Sequence, residues 1–483
     1  MRILLFSLAL LVACHFTSES FAQGQLPADI VIAANDLPKS SMPDPDDLDD
    51  TVLNIQKVVS NQGITAWLVE DHSLPVISMQ FAFKGAGAIH DPADKQGVAR
   101  LLSNMMDEGA DDLDSQSFQK ELQDLSISLS FNSSRDDFGG SLKTLTKNSG
   151  RAFTLLEKAV IEPRFDEEPL TRMKAANQSR IRSSLSNPKW MAARVLNDFA
   201  FEGHPYARNS GGTLSSLEEI TTQDLRDFHG KYLGKNNLVV AVVGDIRAEA
   251  LSYVLDSVFG DLPDVTIPQH EDLDLQNRGK IAVYNQDIPQ TIVEIMQPGI
   301  SRSDPDYHIA QVMNFVLGSS GFGSRLTEEI REKRGLTYGV YSSFYNLDKM
   351  QSLTVSTSTK NENVPVMLST IQEEFSKLHD EGISDHELDD AKAYLIGSLP
   401  LSLTSTDRVS GLMLSLMKDG LPLDYLDQRE DAIANVTRED VQRVAKRLLA
   451  PNQFVTVLVG QPPQDTLAWL GKIKEIEALP DVE

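Results

Sequence analysis

Hydrophobic residues recur along this chain with two different periods. Residues 65–70 and 77–83 are apolar runs of strand length, and 126–133 alternates Ile127, Leu129 and Phe131 with polar neighbours, the pattern of a half-buried strand. A helix is predicted to begin at 98–106, and helical spacing continues at 148–160, 168–184 and 187–201. Further on, strands are predicted at 281–285, 291–296 and 338–345, and helices at 305–317, 324–334 and 364–380. Strands and helices in separate runs predict an α+β fold, a mixed sheet packed with helices, built twice.

The doubling is visible in the residues. Asp224 lies in Ile220-Thr221-Thr222-Gln223-Asp224, ahead of a helical stretch, Asn236-Asn237-Leu238 and an apolar run ending at Gly244. Val436-Thr437-Arg438-Glu439-Asp440 precedes the same succession, through Asn452-Gln453-Phe454 to Gly460. Asp224 and Asp440, Asn236 and Asn452, and Gly244 and Gly460 are each separated by 216 residues. Leu74-Pro75 and Ile288-Pro289 echo each other at 214, each before a strand-like run. The predicted division is a first half at 53–261, a Pro- and acid-rich linker at 262–278, and a second half at 279–483. Residues 23–52, ending in Asp44-Pro45-Asp46-Asp47-Leu48-Asp49-Asp50, read as an acidic lead-in with no core of its own.

The start of the chain changes the picture of where it acts. Arg2 followed by the apolar run 3–13 is too short to span a bilayer and reads as a signal peptide over 1–22. Ser20-Phe21-Ala22 before Gln23 is a small-x-small cleavage site, predicting an exported, periplasmic protein. Leu11-Val12-Ala13-Cys14 offers the alternative of a lipobox, with Cys14, the only cysteine, carrying a membrane anchor. A formal charge of −26 argues against nucleic acid as a partner, since phosphates require a basic footprint.

Taken alone, the chemistry-bearing residues do not show catalysis. No two of the nine histidines stand four apart, so no helix presents a paired imidazole face to a metal. A Gly-x-Ser-x-Gly nucleophile turn is lacking. Gly318-Ser319-Ser320-Gly321-Phe322-Gly323 lacks the Gly-Lys-Ser/Thr ending of a phosphate loop.

That glycine stretch, continued by Ser324-Arg325-Leu326 and then Ile330-Arg331-Glu332-Lys333-Arg334-Gly335-Leu336-Thr337-Tyr338, closely resembles the second-half signature of pitrilysin/insulinase-type zinc metallopeptidases. In the first half, His204-Pro205-Tyr206, Gly212-Thr213, Leu217, Ile220, Asp224-Leu225, Phe228 and Asn237 through Gly244-Asp245 resemble the stretch that follows the family's active-site helices. The resemblance covers roughly residues 53 to 475. It implies two homologous halves forming a clam-shell around a peptide chamber.

Active relatives bind zinc with His-x-x-Glu-His, in a run such as Gly-Leu-Ala-His-Phe-Leu-Glu-His-Met. The matching run here is Gly97-Val98-Ala99-Arg100-Leu101-Leu102-Ser103-Asn104-Met105. Two imidazoles four apart share a helix face and grip one ion, and the glutamate between them activates water. Arg100 puts a cation at the first ligand position, Ser103 has no basicity near neutral pH, and Asn104 offers a weak neutral oxygen. The third ligand, a glutamate in the family, is expected near Gln178-Ser179-Arg180, where no acid stands. The resemblance therefore implies a chain without a metal or catalytic residues of its own.

The family's substrate-grasping Arg and Tyr, seven apart, match Arg331 and Tyr338. Gly335 is suited to stop the helix carrying Arg331, with Lys333 and Arg334 complementing its dipole. Read without the family, Arg331 is a surface residue paired with Glu328 or Glu332, and Tyr338 is packed. In relatives a first-half edge strand, here 126–134, takes up peptide by strand addition. A lost metal site beside a retained Arg/Tyr pair implies the non-catalytic subunit of a heterodimeric peptidase. Its expected partner is a homologous chain with an intact His-x-x-Glu-His holding the zinc, and its expected ligand is a peptide or unfolded protein. The alternative is a scaffold or peptide-binding protein with no proteolytic partner.

Overall fold

The computed structural model describes residues 52–319 and 323–463, with 465, 467, 471–480 and 482. The predicted leader, Cys14 and all but the last residue of the acidic lead-in lie outside them.

The first half is built on six strands: β1 (Gln56–Val59), β2 (Thr65–Glu70), β3 (Val76–Phe83), β6 (Ser128–Ser133), β7 (Phe138–Leu145) and β8 (Leu238–Gly244), with a small hairpin of β4 (Gly109–Ala110) and β5 (Leu113–Asp114) beside it. Their order is β1-β2-β8-β3-β7-β6, so β6 is an edge. Only β2 and β8 run parallel, with Ala66 opposite Val240; the other pairs are antiparallel. The second half uses β9 (Lys280–Asn285), β10 (Gln290–Pro298), β11 (Val340–Leu347), β12 (Met350–Lys360), β13 (Val455–Gly460) and β14 (Lys472–Ile476) in the order β11-β12-β10-β13-β9-β14. Five strands of each sheet correspond, and the parallel pair recurs as β9 and β13. The sixth place is filled differently: β1 precedes β2 and runs antiparallel to it, whereas β14 comes from the chain's end and runs parallel to β9.

The residues at the 216 offset occupy the same places. Thr221 and Thr437 each close a capping box with Asp224 and Asp440, fixing the start of helices Thr222–Tyr232 and Arg438–Leu448. Gly244 and Gly460 end the matching strands at φ +135° and +152°. There a Cβ would stand 2.1 Å from the Val76 carbonyl or 2.7 Å from the Thr291 Cα, so glycine is required by both angle and space.

Each half lends a helix to the other's sheet. Pro188–Ala200 of the first half packs Met191, Val195 and Phe199 against Ile292, Val455 and Val457 of the second. Thr406–Lys418 of the second packs Val409, Met413 and Leu416 against Trp67, Ala241 and Val243 of the first. Both faces of each sheet are thus covered, which is why β8 is a continuous apolar run and β13 is apolar but for the buried Thr456. The 262–278 segment contains no helix or strand but is not a bare tether. Leu275 is buried, and the Leu273 N–H donates to the Lys349 carbonyl at 2.7 Å. Among the described residues no helix is long and apolar enough to cross a membrane.

Candidate functional site

The run that resembles the family's zinc-binding motif forms helix Val98–Met105. The buried carboxylate of Asp91 accepts from the N–H groups of Gly97, at 2.7 Å, and Ala99, at 3.0 Å, satisfying the helix start. Burial pushes the Asp91 pKa up to about 7. Gly97 has φ +94°, and a Cβ on it would meet the Gly212 Cα at 2.7 Å, so the helix begins where two backbones touch. Val98, Leu101, Leu102 and Met105 turn into the first core. The incompletely buried residues of the helix are Arg100 and Asn104, four apart on one face.

Ser103 is 2% exposed, and its hydroxyl donates back to the Arg100 carbonyl at 2.8 Å, within its own helix. The Asn104 Oδ1 accepts from the Asn177 Nδ2 at 3.0 Å. Asn177 belongs to helix Glu167–Ser184 and is 4% exposed. The family's third ligand is expected near 178–180; the residue of this helix that bonds Asn104 is Asn177. Gln178 turns aside to the Leu214 carbonyl at 3.0 Å and the Glu218 carboxylate at 3.2 Å. The signal for Asn177 was helical spacing, since Leu170, Asn177 and Ile181 form one inward face. The Arg100 guanidinium makes no hydrogen bond or ion pair among the described residues; burial, and then the charge of Arg180, push its pKa down.

These residues do not fit zinc. A guanidinium stays cationic, a hydroxyl tied to its own backbone is no general base, and two amides bonded to each other offer no anionic ligand. Among the described residues, no three His, Cys, Asp or Glu side chains are grouped to hold a metal ion.

Arg331 and Tyr338 lie in the second half. The predicted helix over 324–334 is here a π-helical turn, Thr327–Glu332, closed by the Lys333 N–H on the Glu328 carbonyl at 2.9 Å. Gly335 follows at φ +61°. Lys333 and Arg334 both reach the Glu329 carboxylate at 2.6 Å and hold its pKa down at about 2, so these cations serve a side chain as well as a helix end. The Arg331 Nε is 3.3 Å from a Glu332 carboxylate oxygen. Tyr338 is 92% exposed just before the edge strand β11, not packed. Of the glycine stretch, residues 320–322 lie outside the described residues.

The strand at 126–133 is observed as Ser128–Ser133, at a sheet edge, with Leu129 and Phe131 buried and Ser128, Ser130 and Asn132 exposed. Helix Val98–Met105 packs against it. A groove of about 630 Å³, lined by Gln116, Gln119, Lys120, Ile127, Ser128 and Leu129, opens at the start of the strand.

Residues 81–213 match the model of insulinase (peptidase family M16), and residues 219–395 match that of the peptidase M16 inactive domain. The chain belongs to peptidase family M16. An M16 inactive domain structure from Pseudomonas fluorescens superimposes with a TM-score of 0.79 at 30% identity, over 85% of this chain and 98% of that one. Among M16 relatives, a Helicobacter pylori protein named non-peptidase homolog YmxG is 27% identical over 82% of this chain and 91% of its own. The mitochondrial-processing peptidase subunit beta of Saccharomyces cerevisiae is 23% identical, over 78% and 85% respectively.

Proposed function

We propose that this M16 chain is the non-catalytic, substrate-binding subunit of an exported heteromeric zinc peptidase. The observation that carries the proposal is the closed amide pair Asn104–Asn177 where a metal would need two anionic or imidazole ligands. Zinc and the water-activating glutamate belong, in this reading, to a homologous partner with His-x-x-Glu-His, and this chain completes the peptide chamber. Similarity to a protein named as a processing-peptidase subunit supports a heteromer, and similarity to one named a non-peptidase supports the lack of turnover. The edge strand β6 and its groove suit a peptide added as a further strand. Tyr338, open to solvent, and Arg331 supply donors for peptide carbonyls. Export, in this reading, rests on the predicted leader, with Cys14 lipidation as the membrane-anchored alternative.

Co-expression with a homologue carrying the intact motif tests the proposal. The purified pair should cleave unfolded peptides, with zinc in the partner alone. Arg331→Ala or Tyr338→Phe should lower kcat/KM roughly tenfold or more, as expected for removal of a transition-state donor. Activity unchanged in both variants removes them from the substrate path. A second reading, a scaffold or peptide-binding protein without a protease, is favoured by the ion pair that already engages Arg331. It predicts stable complexes from cell extract that contain no zinc peptidase.

A further inference from the structure

The replaced metal site is not merely blank; its charge has changed sign. A zinc site presents ligands of zero or negative charge, whereas here Arg100 and Arg180 lie on facing helices, and among the described residues neither meets a carboxylate. The Asn104–Asn177 bond fixes the register of these helices. Arg172 meets Glu108 at 2.6 Å and Asn177 meets Asn104 at 3.0 Å, so the two helices run in opposite senses, and Arg100, one turn before Asn104, and Arg180, one turn after Asn177, fall at the same end of the amide pair. Burial, and then the charge of Arg180, push the Arg100 pKa down. Neither guanidinium makes a hydrogen bond or an ion pair among the described residues. By contrast, Arg164, Arg172, Arg325, Arg443 and Arg447 all hold carboxylates.

A half-buried guanidinium with a second beside it, its five-donor fork unspent among the described residues, is suited to a carboxylate. The chain's net charge of −26 does not oppose this at short range, because physiological salt screens exposed charges beyond about 8 Å. We infer that Arg100 and Arg180, beside the Asn104–Asn177 pair, form a carboxylate-binding site for an acidic peptide. The site takes either an Asp/Glu side chain or the peptide's C-terminal carboxylate. The inference rests on the peptide-binding reading above and gives it a substrate class. It also accounts for Arg100 standing in a ligand position, where a neutral residue would equally have abolished metal binding.

Fluorescence anisotropy of the full chain with three labelled nine-residue peptides separates the outcomes. One carries a central Glu and an amidated end, one a central Gln and an amidated end, and one a central Gln and a free C-terminus. At least one acid-bearing peptide should bind roughly tenfold tighter than the neutral one, as a charge-assisted bidentate contact implies. Which of the two it is identifies the source of the carboxylate. Arg100→Gln should abolish the preference and Arg180→Gln should reduce it, each leaving affinity for the neutral peptide unchanged, which also reports that the variant is folded. Equal affinity for all three peptides overturns the carboxylate site while the peptide-binding reading stands. A preference that survives both substitutions overturns this location. Binding of none of the peptides defeats both readings.

Discussion

At the scale of single residues, the decisive feature is how completely four positions have been given other work. Arg100 carries a charge a cation site cannot hold, Ser103 bonds its own helix, and Asn104 and Asn177 satisfy each other. The two helices face each other at these positions, because the amide pair bridges them at 3.0 Å. The loss is therefore expected to be chemical, with the scaffold retained. The combined variant Arg100→His, Ser103→Glu, Asn104→His, Asn177→Glu should retain near-stoichiometric zinc after dialysis, as measured by elemental analysis. The same set with Asn177 left in place should hold it more weakly. For the native chain, a chelator should leave Tm unchanged, since the residues at these positions do not fit a metal whose removal would destabilise the fold. If the four-residue variant folds but binds no zinc, the facing helices are not a metal scaffold. Three of these positions were legible in the sequence because they fall inside a contiguous run. Asn177 was not, because its helix is anchored to the motif by packing and not by chain distance.

Among elements, the capping boxes are the cleanest case of a local signal surviving into the fold. Thr221-x-x-Asp224 and Thr437-x-x-Asp440 were readable as an offset repeat, and each starts its helix with the Thr side chain on the N3 backbone N–H and the acid returned to the cap. Thr221→Ala and Thr437→Ala should each cost about 1 kcal/mol of stability in denaturant titration, without changing the slope. A much smaller loss at one of them would mean that its helix is held by tertiary packing alone. Strand periods were equally legible at 65–70, 77–83 and 126–133. Edge position was not, because β6 is placed by pairing with β7 along one side only, and a sequence carries no mark of the missing neighbour. The π-helical turn at Thr327–Glu332 was read as ordinary helix, since one-residue slippage of the hydrogen bonds alters no hydrophobic spacing long enough to detect.

On the scale of the whole molecule, the exchanged helices make the seam between the halves a place where charges are forced together. Only the first of them, at 187–201, was read from its spacing, and the spacing did not say which sheet it covers, because an amphipathic stripe fits either. At the seam, the turn between β6 and β7 brings Asp136 and Asp137 up to Asp348 in the turn between β11 and β12. The Asp136 carboxylate accepts from the Tyr206 hydroxyl and from the Asp348 N–H at 3.1 Å, and Lys418 on the donated helix meets Asp137 at 2.6 Å. Burial, and then the charges of Asp136 and Asp137, push the Asp348 pKa up to about 6, with Lys84 and Lys418 pulling the other way. A carboxyl with a raised folded pKa is more protonated in the folded chain than in the unfolded one, so its ionisation opposes folding. Its contribution is most favourable below the unfolded value of 3.8 and is lost as pH rises through about 6. Asp348→Asn removes that ionisation while keeping shape and the backbone N–H. The variant should therefore melt above the native chain at pH 8. The gap should narrow as pH falls below about 6 and vanish below about 4, when the native carboxyl is protonated in both states. Thermal unfolding of the two proteins across that range measures it. A gap that is constant with pH would place the effect in packing, and one that widens on acidification would mean the Asp348 charge strengthens the seam instead of straining it.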